Sequence, residues 1–343
     1  MQNLGPRLLN RALNRNLLDK GGAVGVFASA PLDLRFALQK TLDPRVTFTR
    51  ASSATFVDSS GVLRSATTNE PRFDHNPTTG ESFGLLVEEA RTNLLLNSAT
   101  LSTQSVTVAA AANTLSFYGT GTVTLTGVST AGPLVGTGAN NRVSLTFTPT
   151  AGSLTLTVSG SVTNAQLEAG SFATSYIPTT SATVTRAADV ASITGANFSS
   201  FYNQTEGTVF VDINSAPVAT VIQTAYDIND GTTNERIFTR RLAAGTIGAA
   251  ITDGNVVQAN IGGFAIAASA RYRSSLAYKL NDFSGSVNGA TNATASSGTL
   301  PTVTAMNIGA TQAGASQANG TIRRLAYWPT RLANTTLQQI TQP

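Results

Sequence analysis

The chain of 343 residues has no cysteine, one histidine, one tryptophan and two methionines, and only 12% of its residues are charged. Without cysteine there is no disulfide frame, no thiolate metal site and no cysteine nucleophile. The single histidine, His75, lies in the turn-rich FDHNPTTG and gives no support to a histidine triad or a multi-histidine metal site. No apolar run approaches the ~20 residues of a membrane-spanning helix; the most apolar early stretch, residues 22–34, is short and interrupted by Pro31. Membrane insertion is therefore not expected. Polar Gln2-Asn3 followed by Arg7, Arg11 and Arg15 does not read as a signal peptide, so synthesis in a cytoplasm is expected. The scarcity of charge is made up by Thr, Ser, Ala, Gly and Asn. With 41% hydrophobic residues the chain is too apolar to be disordered. It fits sandwiches whose outer faces are Thr/Ser ladders. So little surface charge weakens solubility as a monomer, a constraint that packing of many copies in an assembly relaxes.

The charge that exists is uneven. The first 50 residues hold eight Lys and Arg against three Asp, whereas the whole chain is only +4. The high isoelectric point thus describes a basic N-terminal segment. Nucleic-acid binding needs a basic face interleaved with aromatics; this segment has only Phe27, Phe36 and Phe48, so nucleic acid is not expected as a partner. Leu9, Ala12, Leu13 and Leu17 recur at helical spacing. Arg7, Arg11 and Arg15 fall along one flank of the same helix. They form either the solvated face of a short surface helix or an anchor that docks on an acidic partner. Gly21-Gly22 ends the helix.

Beyond residue 40 the pattern is β. Thr122–Thr126, Val143–Phe147 and Leu154–Val158 alternate apolar and polar residues between Gly, Pro and Asn turns, as in half-buried strands of a small antiparallel sandwich. Residues 207–213, 218–222, 236–240, 249–252, 256–260, 271–278, 283–287, 306–309 and 321–328 predict a second, larger sandwich, with hairpin turns at Asp253-Gly254 and Asn288-Gly289.

Candidate chemistry is sparse. Glu88 and Glu89 are adjacent, so on a strand they point to opposite faces. They cannot form the convergent pair of a glycoside hydrolase, and an ion pair with Arg72 or Arg91 is the reading preferred. Arg50, Arg72, Arg91 and Arg186, each between apolar residues and near acids, are expected to lock loops rather than to catalyse. The run from Asp227 to Glu235 has Asp227, Asn229 and Asp230 at its head, but Gly231 is fifth where a calcium loop has glycine sixth. A hairpin turn is favoured, with calcium as the alternative. Trp328 and Tyr226 are the aromatics that could stack on a sugar; the placement of Trp328 on an apolar terminal strand points instead to packing.

Three groups of motifs carry a family resemblance. FTRASSATFVD, GVLR, NEPRFD and GLLVEEARTNLLLNS, in this order over residues 48–98, closely resemble a module of tailed-bacteriophage virion proteins. There it precedes lectin-like sandwiches in tail fibres, tailspikes and head fibres. AQLEAGSFATSYIPT, residues 165–179, resembles the last strand and exit of carbohydrate-binding jelly rolls of phage structural proteins. EGTVFVDI, RYRSSLAYKLNDFSGSVNGA, MNIGA and NGTIRRLAYWPTRLANTTLQQIT are similar to a concanavalin A-like, laminin-G type jelly roll.

The expectation is an all-β chain of tandem antiparallel β-sandwiches behind a short helical anchor. Its parts are an anchor over 1–40, a β-rich collar over 41–99, a small carbohydrate-binding-module-like sandwich over 100–180 and a concanavalin A-like sandwich over 181–343. The resemblance implies a non-enzymatic virion component, made in the host cytoplasm and attached to other virion proteins through its N-terminal segment. It also implies homo-oligomers, trimers above all; no resident cofactor is expected, with calcium the one alternative, because concanavalin-like lectins often hold it in loops. A receptor-binding lectin for host surface glycan is the alternative. Deletion of residues 1–40 is expected to leave the sandwiches soluble.

Overall fold

A computed structural model of the chain describes residues 24–215, 221–243, 245–266, 271–312 and 314–343. The anchor residues Arg7, Leu9, Arg11, Leu13, Arg15 and Leu17 lie outside the described residues, as does most of the strand expected over 218–222. What is described is all-β, with several antiparallel sheets and a few short helices.

The larger sandwich is built from two sheets. One has eight strands, in the order Ala293–Ala295, Asp282–Val287, Arg271–Lys279, Glu206–Ser215, Gly320–Trp328, Ser82–Val87 and Phe73–His75, with Leu32–Leu34 also paired to Gly320–Trp328. The other has seven, in the order Thr47–Thr49, Val190–Thr194, Ala305–Ile308, Gln223–Asn229, Arg236–Arg241, Thr246–Asp253 and Val256–Ala265. Val209, Val211, Leu276, Ile322 and Leu325 of the first sheet pack on Ile193, Ile228, Ile251, Met306 and Ile308 of the second, in one core with almost no exposure. The predicted turn at Asp253-Gly254 falls one residue later, at Gly254 and Asn255, whose φ of 60° and 62° place both in the left-handed region a two-residue hairpin needs.

The small sandwich packs the sheet Leu134–Val135, Thr122–Gly127, Gly152–Ser159 and Gln104–Val108 on the sheet Gly138–Phe147, Asn113–Gly119 and Val162–Ala169. Leu115, Phe117, Val123, Leu154, Leu156 and Leu167 fill its core at 0% exposure. The alternating threonines stay outside, where Thr155 and Ser105 pair through their hydroxyls at 2.8 Å.

Along the chain, this small sandwich is bracketed by the larger one. Arg91–Asn93 leads into it and Val184–Arg186 leads out, and these two short strands pair antiparallel, Arg91 opposite Arg186. The segment expected as a collar is likewise shared. Its strands Thr47–Thr49, Phe73–His75 and Ser82–Val87 are edge and near-edge members of the two large sheets, while Ala54–Val57 and Leu63–Ala66 form a separate hairpin.

The N-terminal boundary also differs from the one expected. Residues 24–40 belong to the larger sandwich: Leu32, Leu34 and Phe36 are at most 1% exposed in its core. Burial of each stabilises by about 1.5–3 kcal/mol. The short helix Val24–Ala28 lies on the outer side of the eight-stranded sheet, where Phe27 meets Phe210 edge-on at 5.0 Å and Trp328 at 5.4 Å. Asp33 fixes the strap by accepting two hydrogen bonds from Arg324, at 2.7 and 2.9 Å.

Candidate functional site

The densest cluster of ionisable side chains sits where the two sandwiches and the 50–90 segment meet. Asp189 follows the exit strand Val184–Arg186. Its Oδ1 accepts from Arg50 at 3.1 Å, and its Oδ2 accepts from Arg72 at 2.5 Å and from the Glu88 backbone N–H at 2.9 Å. All three side chains of this Arg–Asp–Arg unit are fully buried. Glu88, at the end of Ser82–Val87, meets Arg72 at 2.8 Å and Arg186 at 2.9 Å. It also accepts from the Ser175 N–H at 2.7 Å and the Ser175 hydroxyl at 2.6 Å. Ser175 lies in the exit of the small sandwich, so one carboxylate ties that exit to Arg72, just before Phe73–His75, and to Arg186 of the exit strand.

Most of the remaining donors are used, the Nε atoms of Arg72 and Arg186 being the exceptions. Arg50 donates to the carbonyls of Ser52 and Thr67, Arg72 to the carbonyl of Thr55, and Arg186 to that of Glu89. A second buried acid, Glu168 on Val162–Ala169, accepts from the Thr174 N–H at 2.9 Å, the Thr174 hydroxyl at 2.6 Å and Gln166 at 2.6 Å. Burial alone would raise the Glu88 carboxyl; Arg186, Arg72 and the Ser175 bonds outweigh it and hold it at about 2. Burial opposes the Arg72 cation too, yet Asp189 and Glu88 carry it above the ordinary arginine value. Arg186 and Arg50 go the other way, lowered first by burial. Such a cluster holds charge in place. It presents no free nucleophile, and its acids are occupied by fixed donors.

Asn93 completes the junction. It is fully buried, donates to the carbonyls of Ala165 at 3.0 Å and Ile177 at 2.9 Å, and accepts from the N–H groups of Leu95 and Leu167, each at 3.1 Å. Sequence reasoning passed over it, although it is the Asn of EEARTN and a buried amide with four bonds is a strong positional constraint.

Beside the junction lies an open groove of about 750 Å³, lined by Glu89, Arg91, Thr92, Ser171, Thr185 and several alanines. Arg91 pairs with Glu89 and lies over the Phe172 ring at 4.9 Å. Gly170, with φ of 128°, leaves room for it: a Cβ there would sit 1.6 Å from the Arg91 guanidinium.

The residues picked out from sequence are placed as follows. Trp328 is 2% exposed and donates from Nε1 to the Val26 carbonyl at 2.9 Å. Tyr226 is 1% exposed and accepts from the Thr239 hydroxyl at 2.8 Å. Neither ring offers a face to a sugar, which corrects their candidacy as stacking platforms. His75 is buried with Nδ1 3.0 Å from the Val57 carbonyl.

At the proposed cation loop, Asn229 accepts from the Gly231 N–H at 2.9 Å and donates to Asn307, and Asp230 accepts from the N–H and hydroxyl of Thr232. These oxygens close a turn. Asp227 is fully buried on the strand before it, and burial pushes its carboxyl up to about 6. Among the described residues no group of three His, Cys, Asp or Glu side chains could hold a metal ion.

No protein-family model matches the chain, and no curated protein matches it. Solved structures overlap it in part. The CBM40 module of a Ruminococcus gnavus IT-sialidase, bound to alpha2,3 sialyllactose, is 18% identical over 41% of this chain and 84% of that one, with a TM-score of 0.36. A leech intramolecular trans-sialidase is 19% identical over 43% of this chain and 24% of that one, with a TM-score of 0.37. The binding domain of botulinum neurotoxin serotype D is 10% identical over 44% of this chain and 39% of that one, with a TM-score of 0.35. At this degree of overlap the functional reading rests on the chain's own residues.

Proposed function

We propose that the chain is a non-enzymatic structural component of a tailed-phage virion, a tail fibre, spike or head-fibre decoration protein. Its basic N-terminal segment attaches it to other virion proteins, and its lectin-like β-sandwiches face outward. The observation that carries this reading is the junction: Glu88 and Asn93 fasten the small sandwich and its exit to the larger one through buried bonds, with Asp189 and Arg72 bracing Glu88, as a displayed rigid arm requires. The block of motifs from FTRASSATF to EEARTNLLLNS supplies Arg50, Arg72, Glu88 and Asn93 of that junction, which gives the phage resemblance a physical content. Homotrimers are the assembly proposed, since threefold packing buries flat, low-charge faces along one axis. Immunogold labelling of purified particles tests the reading; label on the particle is expected. Absence of the protein from particles, or release of reducing sugar from host envelope by the purified chain, would overturn it.

A second reading, recognition of host surface glycan, is favoured by the groove beside the junction, where Glu89, Arg91, Thr92, Ser171 and Thr185 supply the mixed donors and acceptors that hydroxyl groups need. A glycan array probed with and without calcium tests it, and no binding in either condition leaves the structural role alone.

A further inference from the structure

The seven-stranded sheet of the larger sandwich has an outward face whose chemistry the junction does not explain. Side chains alternate along a strand. On Arg236–Arg241, Ile237 enters the core and Thr239 bonds the core Tyr226, so Arg236, Phe238 and Arg240 share the opposite face. Phe238 is nevertheless only 4% exposed. The reason is that Arg236 and Arg240 cover its ring, with guanidinium carbons 4.3 and 4.7 Å from the centroid. In register with Phe238 on the next strand is Asp227, and Asn307 lies beyond it.

The polar groups here are poorly satisfied. The Arg236 Nε, both Asp227 carboxylate oxygens and the Gln312 Oε1 are buried without a hydrogen-bond partner of good geometry; the Gln312 N–H and the Asn229 amide are the donors nearest Asp227. Neither Arg236 nor Arg240 lies within ion-pair distance of a carboxylate among the described residues; they share the field of Asp227 and repel each other. Elsewhere on this sandwich arginines are paired: Arg324 with Asp33, Arg323 with Glu81, Arg331 with Asp282, Arg271 with Asp212. Two half-buried cations on one ring, with buried orphan atoms beside them, are costly unless another group completes them.

We propose that Arg236 and Arg240, held over Phe238, form a binding site for the carboxylate group of an acidic saccharide. Planar guanidinium forks match a carboxylate in two-point contact, and their stems are already fixed on the ring, so little side-chain freedom is lost on binding. Next to the arginines the surface is low and polar. Ala250 pairs with Phe238, and the exposed Asn260 pairs with Ala250, two strands or about 10 Å away. That spacing lets the sugar ring lie beside the arginines with an amide at its far edge. The site rests on the glycan-recognition reading and adds to it both a location and an acidic ligand.

The test is calorimetric titration of the full chain with a uronate tetrasaccharide, a neutral tetrasaccharide and sodium acetate. The uronate should bind, and the neutral sugar should bind about tenfold more weakly or worse. Arg236→Gln and Arg240→Gln should each lose about tenfold in uronate affinity with unchanged Tm. If a glutamine variant lowers Tm, Arg236→Lys and Arg240→Lys keep the stem and the charge but lose the fork, and should still lose uronate affinity. Equal binding of uronate and neutral sugar, or wild-type affinity in the folded double variant, overturns the proposal. Complete displacement of the uronate by acetate at matched carboxylate concentration overturns the saccharide assignment. Loss of uronate binding in both variants while neutral-glycan binding is unchanged supports the carboxylate site, whereas uronate binding retained by both variants removes this site and leaves glycan recognition standing.

Discussion

Asp189 and Arg72, 117 residues apart in sequence, meet at 2.5 Å with both side chains fully buried. Arg50 on one side and Glu88 on the other extend the contact, so each charge has an opposite neighbour. A buried pair of this kind adds little stability compared with a well-packed apolar substitute, but removing one partner strands the other.

Asp189→Asn should therefore be strongly destabilising. It keeps the shape of the side chain and leaves Arg50 and Arg72 short of one negative charge. The expected loss is about 3–5 kcal/mol, seen by thermal melts as a fall in Tm of roughly 10 °C. Asp58→Asn removes the negative partner of the exposed Arg64, keeps an oxygen for the Ser60 and Val62 N–H groups, and should leave Tm unchanged. Equal effects of the two substitutions would show that the junction is not special.

Asn93 predicts a local failure. Asn93→Asp cannot donate to the Ala165 and Ile177 carbonyls and places a carboxylate against them. A cost of about 1–3 kcal/mol for each unmet group is expected, concentrated at the root of the small sandwich. Limited proteolysis should then cut within 94–183 well before the larger sandwich is attacked. Uniform cutting along the chain would contradict the role given to Asn93.

The pH dependence has two limbs of opposite sign. Glu88 is held at about 2 against an ordinary 4.5, so its contribution is complete above 4.5 and is lost as pH falls through about 2. Asp74 and Asp227 are raised to about 6 from 3.8, first of all by burial. Their contribution is complete below 3.8 and is lost as pH rises through about 6. Stability should peak between these limbs. Asp74→Asn retains an oxygen to accept the Val57 N–H and should raise Tm at pH 8 while flattening the slope between pH 4 and 6. A Tm profile for this variant parallel to wild type would contradict the assignment.

The sequence carried the elements better than their partners. The Thr-alternating strands of the small sandwich were readable because Leu154 and Leu156 sit at the period of a half-buried strand. Arg50, Arg72 and Arg186 were readable as loop-locking residues because each stands among apolar neighbours. Their acid Asp189 was not readable, since the pairings with Arg50 and Arg72 span 139 and 117 residues. The bracketing of the small sandwich depends on Arg91–Asn93 meeting Val184–Arg186, and three-residue strands leave no periodicity to detect. The same holds for Leu32–Leu34, whose place in the core moved residues 24–40 out of the expected anchor and into the larger sandwich. Trp328 looked like a packing residue on its strand. Its actual partner, the Val26 carbonyl, is 302 residues away.

That boundary separates two truncations that the sequence treats as one. Removal of residues 1–40 takes Leu32, Leu34 and Phe36 from the core and should leave an insoluble or unfolded chain, whereas removal of residues 1–23 leaves every described contact in place. The most direct measurement is the copy number of the 1–23 deletion in purified particles, by quantitative mass spectrometry, alongside its Tm. The account predicts a Tm equal to that of the full chain and no incorporation. Normal incorporation of this folded truncation would contradict attachment through the N-terminal segment.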